Sequence, residues 1–274
     1  MPSHVKAACL VLLGAMCHLA TGRAAAETVL ITGANQGIGL EFARQYAARG
    51  WTVIATHRRS TTPETLAKLA AKYPNVRVER MDVTDAAQIR ALGEKLRDVP
   101  IDILINNAAL VRTDPLDKPG GNTNQMFGSL DYELLDTFVH TNIAGPLRVV
   151  ETFIGNVKAS RQKKIVAISS AAGSVSVPPF MPNGSPVPDH YWYRITKAGL
   201  NSAMRLVSAQ FERDGVTVVM FHPGGVQVES FGDMKLPGFV PPEEAIGKMI
   251  RTIDALTVKD TGRFLNNDGT DHPW

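Results

Sequence analysis

Tyr193 and Lys197 stand four residues apart at the start of a predicted helix, so both side chains fall on one helical face. A free tyrosine has a pKa of about 10, too high for easy proton exchange at neutral pH. A cation beside it favours the phenolate and lowers that value. Such a pair suits a reaction in which negative charge builds on an oxygen, as when hydride reaches a carbonyl and a proton must arrive with it. Tyr191 lies six residues before Lys197 and cannot share that face as well. Taken alone, the pair also fits an aromatic and a lysine on a solvated helix. A second chemistry-bearing run is Thr32-Gly33-Ala34-Asn35-Gln36-Gly37-Ile38-Gly39, directly after a predicted strand. A glycine-rich turn between a strand and a helix lets backbone amides approach a pyrophosphate, with the helix N-terminus favouring its charge. Glycines also serve bare turns and helix caps. At the first strand–helix junction of an alternating chain, the dinucleotide reading is the stronger.

The elements that must hold these residues alternate along the chain. Strands are predicted at Val29–Thr32, Thr52–Thr56, Val76–Met81, Ile101–Asn106, Lys164–Ser169, Val216–Phe221 and Arg263–Asn266. Helical segments fall near Ile38–Arg49, Glu64–Lys72, Ala86–Arg97, Tyr132–Lys158, Tyr193–Arg213 and Glu243–Leu256. Several strands are continuous apolar runs, the pattern of parallel strands covered on both faces. The expected fold class is therefore α/β, a doubly wound, mostly parallel sheet of Rossmann type in one domain. Three stretches rich in Pro, Gly or Asn interrupt the alternation: 114–128, 177–189 and 223–242. Each follows a predicted strand, so all three reach the edge where an open α/β sheet binds its ligand.

Composition agrees with one globular domain and excludes other classes. The 274 residues are 44% hydrophobic, 20% charged and 7% aromatic, which rules out disorder as the main state. Lys plus Arg number 29 against 26 Asp plus Glu, and a net of +3 leaves no footprint for nucleic acid. No apolar run reaches the roughly 18–20 residues of a membrane span. No His/Glu cluster has metal-ligand spacing, and neither Ser169 nor Ser170 sits in a Gly-x-Ser-x-Gly elbow. Residues 1–26 form a separate segment: Lys6, an apolar stretch from Ala7 to Ala20, then Ala24-Ala25-Ala26. That is the layout of a secretory signal peptide, with Met16 as an alternative start. Both cysteines, Cys9 and Cys17, lie inside it, so residues 27–274 would carry no thiol. Asn183-Gly184-Ser185 matches a glycosylation acceptor, a short pattern with little weight of its own.

Further along, the same chain carries Asp82-Val83 after the third strand, Asn106-Asn107-Ala108-Ala109 after the fourth, Asn142 in a long helix, Ser169-Ser170, and Pro223-Gly224. With Gly-x-x-x-Gly-x-Gly and Tyr193-x-x-x-Lys197, these motifs in this order resemble the short-chain dehydrogenase/reductase family over essentially everything after residue 27. Within it, Tyr193-Arg-Ile-Thr-Lys197-Ala-Gly-Leu-Asn201 and the ending Asn267-Asp268-Gly269 with Pro273-Trp274 are similar to C-factor/sniffer-like carbonyl reductases. The resemblance implies an oxidoreductase acting between NADP(H) and a small carbonyl or secondary alcohol. Gly33, Gly37, Ile38 and Gly39 would hold the pyrophosphate, Asp82 and Val83 would meet the adenine, and Asn106 and Ala108 would follow the adenosine ribose. Tyr193 would be the acid/base, Lys197 would tune it and bond the nicotinamide ribose, Ser170 would orient the carbonyl, and Asn142 would anchor a water. Pro223 and Val226 would flank the nicotinamide.

Departures from the family pattern are Ala109 in place of the usual Gly, Val228 in place of Thr, and the long interval between Ser170 and Tyr193. The last holds Phe180, Met181, His190 and Trp192 as candidate pocket or packing residues, and it could reduce partner contact through the neighbouring helix. Homo-oligomerisation stays open. The second strand ends Thr56-His57-Arg58-Arg59, with no acid to bond a ribose 2′-hydroxyl and with a guanidinium able to bind a 2′-phosphate. That points to NADP(H), Arg58 being the chief contact, although paired arginines are commonly just solvated. A catalytically idle dinucleotide-binding redox sensor is the competing function. The N-terminus leans to export, whereas cofactor supply and the family resemblance lean to the cytoplasm.

Overall fold

Seven strands pair in parallel in the order β3-β2-β1-β4-β5-β6-β7, in a computed structural model that describes residues 26–111, 125–177, 190–229 and 237–274. They are β1 (Thr28–Ile31), β2 (Thr52–His57), β3 (Val76–Arg80), β4 (Ile103–Asn106), β5 (Lys164–Ile168), β6 (Thr217–His222) and β7 (Phe264–Asn266). The helices are α1 (Gly37–Ala48), α2 (Glu64–Lys72), α3 (Ala86–Lys95), α4 (Glu133–Val139), α5 (Gly145–Lys158), α6 (Tyr191–Phe211) and α7 (Pro242–Ala255). The expected α/β, doubly wound class is therefore what the chain adopts, and the sheet is wholly parallel.

Every residue of β1, β4 and β5 is buried, because helices cover both faces of the sheet. Alternate residues serve opposite sides. Val29, Ile31, Ile105, Val166 and Phe221 pack with Phe42, Tyr46, Met249 and Ile253 of α1 and α7. Leu30, Leu104, Ile165 and Met220 pack with Leu92, Phe153, Leu200 and Met204 of α3, α5 and α6. Each such side chain contributes roughly 1.5–3 kcal/mol when fully buried. The strand order reverses between β1 and β4, so the loops leaving their carboxyl ends diverge and open a crevice there.

The predicted helix over Tyr132–Lys158 is divided. His140–Ala144 form a π turn between α4 and α5, with the Gly145 amide donating to the His140 carbonyl. Pro146 is the reason: its ring clashes with the carbonyl four residues back and it has no N–H to offer. Asn142 sits inside that turn, and the carbonyl that loses its α-helical donor is its own. The three long loops all leave the carboxyl edge, but residues 112–124, 178–189 and 230–236 lie outside the described residues. So do Phe180, Met181, Asn183-Gly184-Ser185 and nearly all of the signal-like segment. Among the described residues, no helix is long and apolar enough to cross a membrane, and no His/Cys/Asp/Glu group could hold a metal ion.

Candidate active site

A cleft of about 640 Å³ lies along the carboxyl edge, running from the β1–β3 loops to α6. Its first end is built on the turn after β1. Gly33 and Gly37 have φ of +64° and +54°, left-handed backbone that side chains rarely adopt. The first turn of α1 carries no acidic side chain, leaving its amides for a partner. One is in use: the Gly37 N–H donates to a carboxylate oxygen of Glu229 at 3.0 Å. An anion thus already rests where a pyrophosphate is expected, and the seat fits that group by chemistry as well as by shape.

Thr32 and Asn107 lock the two loops that flank the crevice. The Thr32 hydroxyl oxygen accepts from the Asn107 and Ala108 amides at 2.9 and 3.0 Å. Asn107 Nδ2 donates back to the carbonyls of Thr32 and Gly33 at 2.9 and 3.0 Å. Arg58 and Arg59 are exposed at the same end, on the cleft wall. They make no ion pair among the described residues. Burial, reinforced by the charges of Arg80 and Arg59, pushes the His57 imidazole below its ordinary pKa. Asp82 also lines the cleft; its Oδ1 accepts from the Thr84 amide and hydroxyl at 2.9 and 2.8 Å. It is a turn residue, and the N-cap of α3 is Asp85 instead, accepting from Ala87 and Gln88.

The second end is assembled around a buried lysine, with Tyr193 and Ser170 half-buried beside it. Lys197 is only 2% exposed. Its Nζ donates to the Ile168 carbonyl at the end of β5 at 2.7 Å and stands 5.6 Å from the Tyr193 ring centroid. Burial brings the lysine down to about 7. The Tyr193 phenol is pushed up by burial, partly offset by its hydrogen bond with Ser170. The expected lowering of Tyr193 by its lysine is thus reversed, because desolvation acts on both groups and Nζ is directed to a carbonyl. The two serines are placed differently. Ser169 lines the cleft, but its hydroxyl is buried and donates to Asn201 Oδ1 at 2.6 Å; Ser170, half-buried and outside the cleft lining, is the serine that interacts with the Tyr193 phenol. Gly173 lets the turn after Ser170 approach α6, since a Cβ there would lie 2.9 Å from the Lys197 backbone.

Of the residues singled out from sequence, Gly33, Gly37, Ile38, Arg58, Asp82, Val83, Ala108, Tyr193, Lys197 and Pro223 form the cleft wall. Others stand behind it. Gly39 packs within α1 against Asn107 and the Gly33 carbonyl, so its role is close packing. Asn106 is buried with neither side-chain polar atom paired among the described residues, and Val226 is held by a bridge to Val240. The Asn142 side chain is committed to structure: Oδ1 accepts from the Leu110 amide at 2.7 Å, and Nδ2 donates to the Leu110 carbonyl and Thr196 hydroxyl at 2.8 and 2.9 Å. Ala109 is exposed on the wall, where its methyl crowds nothing deep. Val228 packs against Gly37. Trp192 is buried with Nε1 donating to the Asp131 carbonyl, which makes it a packing residue.

Several positioning residues gave no sequence signal. Helix α6 begins at Tyr191, two residues earlier than expected, so the Tyr193 amide belongs to its first turn and needs an outside acceptor. Gln125, fully buried, supplies one at 3.1 Å and donates its other end to the Val111 carbonyl. The glutamine and the helix start lie 68 residues apart, beyond any local motif. Thr32 was legible only as part of the glycine run, and Glu229 not at all.

Residues 27–235 match the short chain dehydrogenase family, and the chain belongs to it. It is 30% identical over 253 residues to a 1-hydroxy-2-glutathionyl-2-methyl-3-butene dehydrogenase of Rhodococcus sp. (strain AD45), a match that covers 90% of this chain and 100% of that one. An NADPH-bound carbonyl reductase from chicken fatty liver superposes with a TM-score of 0.77 at 30% identity, covering 91% of this chain and 94% of the other. The carbonyl reductase Sniffer of D. melanogaster shares the fold at a TM-score of 0.74 and 22% identity, over 91% and 100% of the two chains. The chain is an oxidoreductase-family protein with carbonyl-reductase-like relatives.

Proposed function

We propose that this chain reduces a small carbonyl compound, or oxidises the corresponding secondary alcohol, with NADP(H). The observation that carries the proposal is that Tyr193 and Lys197 line one end of a cleft, with Ser170 beside the phenol, while the other end is an anion-binding helix start. NADPH, when bound, supplies the hydride. The chain supplies the rest. The Tyr193 phenol, kept protonated by burial, gives its proton to the carbonyl oxygen. Ser170 donates a preorganised hydrogen bond to the same oxygen as charge develops on it. Lys197, buried and close to neutrality, becomes a stronger cation when an anionic partner enters and then steadies the phenolate left behind. Asn142 serves through its backbone: with Pro146 four residues on, its carbonyl oxygen lacks the α-helical N–H and can hold a water feeding the lysine.

Preference for NADP(H) over NAD(H) is supported by Arg58 and Arg59, exposed on the cleft wall and without an ion pair among the described residues, by the absence of a carboxylate at the end of β2, and by the NADPH-bound state of the chicken-liver reductase. Gly33, Gly37 and Ile38 would hold the pyrophosphate, and Asp82 and Val83 would face the adenine. The test is NADPH consumption across a panel of aldehydes, ketones and quinones. Turnover with at least one is expected. Tight NADPH binding with no turnover across the panel would favour the idle sensor instead.

Residues 1–26 are proposed as a segment apart from the catalytic unit, since the first strand begins at Thr28. N-terminal sequencing of the protein from its own cells tests export: a start at Glu27 supports it, and an intact Met1 overturns it.

A further inference from the structure

One imidazole beside the catalytic end takes no part in the mechanism above. His222 is the last residue of β6, next to Pro223. Across from it, Ser170 stands in extended backbone at the head of the short turn Ala171–Gly173. Three amides follow Ser170, and two are satisfied from within the turn. The Ala172 amide donates to the Ser170 hydroxyl oxygen at 3.1 Å, and the Gly173 amide to the Ser170 carbonyl at 2.9 Å. The Ala171 amide has its partner outside, on His222 Nδ1 at 3.1 Å. That bond joins the segment carrying the serine to the strand end that carries the cofactor loop.

A backbone N–H can only donate, so Nδ1 of His222 must be the bare nitrogen, with the proton on Nε2. The C-terminal tail packs behind it. His272 lies with its ring centroid 5.0 Å from that of His222. Asn266 fixes this second ring: its Nδ2 donates to the Thr270 hydroxyl and the Asp271 carbonyl, so its Oδ1 accepts from His272 Nδ1 at 2.8 Å. The His272 amide donates to the Phe264 carbonyl, and the Trp274 carbonyl accepts from the Ser176 amide at 2.6 Å. The tail therefore backs the imidazole and also grips the strand-to-loop segment six residues beyond Ser170.

We propose that His222 is a positioning residue for the reaction: its Nδ1 lone pair holds the Ala171 amide and so sets where the Ser170 hydroxyl stands relative to Tyr193 and Pro223. This rests on the roles assigned to Ser170 and Tyr193. Without the acceptor, the Ala171 amide must turn to find another partner, and Ser170, one residue away, turns with it. A misplacement of about 1 Å at such a group can cost up to about a hundredfold in rate.

The test compares His222→Asn with His222→Phe, each in the wild-type and Ser170→Ala backgrounds, using NADPH and an aldehyde that the wild type reduces. Asn presents Oδ1 where the imidazole has Nδ1; Phe keeps the ring and loses the acceptor. His222→Phe should lower kcat about tenfold or more while the Kd for NADPH stays within about twofold. His222→Asn should stay within about threefold of wild type. In the Ser170→Ala background, His222→Phe should cost nothing further, the non-additivity of a residue acting through another. An unchanged kcat in His222→Phe overturns the proposal, as does an equal fall in the Asn and Phe variants, or the same fold loss again without Ser170. If the Phe variant loses NADPH binding through misfolding, His222→Ala carries the same three comparisons. A wild type inactive on every carbonyl tried would instead count against the functional reading itself.

Discussion

At the β1–β3 end of the cleft, the groups that face a ligand are backbone amides and exposed guanidinium groups. At the α6 end they are side chains: Tyr193 pushed up, the buried Lys197 brought down to about 7, and Ser170 beside the phenol. At the first end, helix-start amides and surface cations tolerate small shifts of a bound group. The second works only if several atoms hold their places, and much of the hydrogen bonding around it serves that purpose. Gln125 holds the Tyr193 amide, Asn142 ties the loop after β4 to Thr196, and Asn201 takes the Ser169 hydroxyl. Substitutions should therefore separate: affinity should fail at one end and rate at the other.

The sharpest separation is expected from Tyr193→Phe. The ring still packs and the proton donor is gone, so carbonyl reduction should fall by about 10²–10⁴ with NADPH affinity unchanged. Titration of cofactor fluorescence beside steady-state rates reads both; retained turnover would refute the mechanism. Lys197 should come next, at about 10² in kcat for Lys197→Met. Its pH behaviour has a definite sign. The folded pKa, about 7, lies below the free-lysine value of about 10.4, so above pH 7 the folded site has lost a proton that the unfolded chain keeps. Reduction measured as kcat/KM should therefore decline as pH rises through about 7, while this group's contribution to stability increases from there to about 10. Lys197→Met should flatten both trends. A rate profile unchanged by the substitution would assign the limb to another group.

How much of this was legible beforehand divides along the same line. The glycine turn, the missing acid after β2 and the strand alternation are local patterns, and each falls within a few residues of where it was expected. Tyr193 and Lys197 are also local, one turn apart. What sequence could not supply is the burial that reverses the expected Tyr193 shift, since desolvation depends on neighbours brought in by the fold. The π turn at Asn142 was half visible in Pro146, four residues on, yet the Asn142–Leu110 and Asn142–Thr196 bonds span 32 and 54 residues. Gln125 and Glu229 act across 68 and 192 residues. No periodicity or spacing rule reaches that far.

At the cofactor end, Arg58→Ala should weaken NADPH by about tenfold, the worth of one charge-assisted bond, and leave NADH nearly unaffected. Equal losses for the two cofactors would remove the 2′-phosphate from the argument. The effect should shrink as salt is added, because the guanidinium is exposed, whereas the Tyr193 and Lys197 effects should not.

The smallest effect tests the least expected contact. Glu229 is exposed, yet its carboxylate accepts from the Gly37 amide at the start of α1. A negative charge near a helix N-terminus is worth about 0.3–1 kcal/mol at an exposed site. A pyrophosphate entering the same seat must displace that carboxylate and bear its repulsion. Glu229→Gln keeps the shape and removes the charge, so NADPH should bind about two- to fivefold more tightly, with kcat at saturating cofactor unchanged. The gain should fade at high salt and should be shared by NADH, because the contact lies at the pyrophosphate and not at the 2′-phosphate. Weaker binding in Glu229→Gln would mean that the carboxylate helps to shape the occupied cradle. The two ends would then be less separable than the geometry implies, since Glu229 lies on the loop that leaves His222 and Pro223.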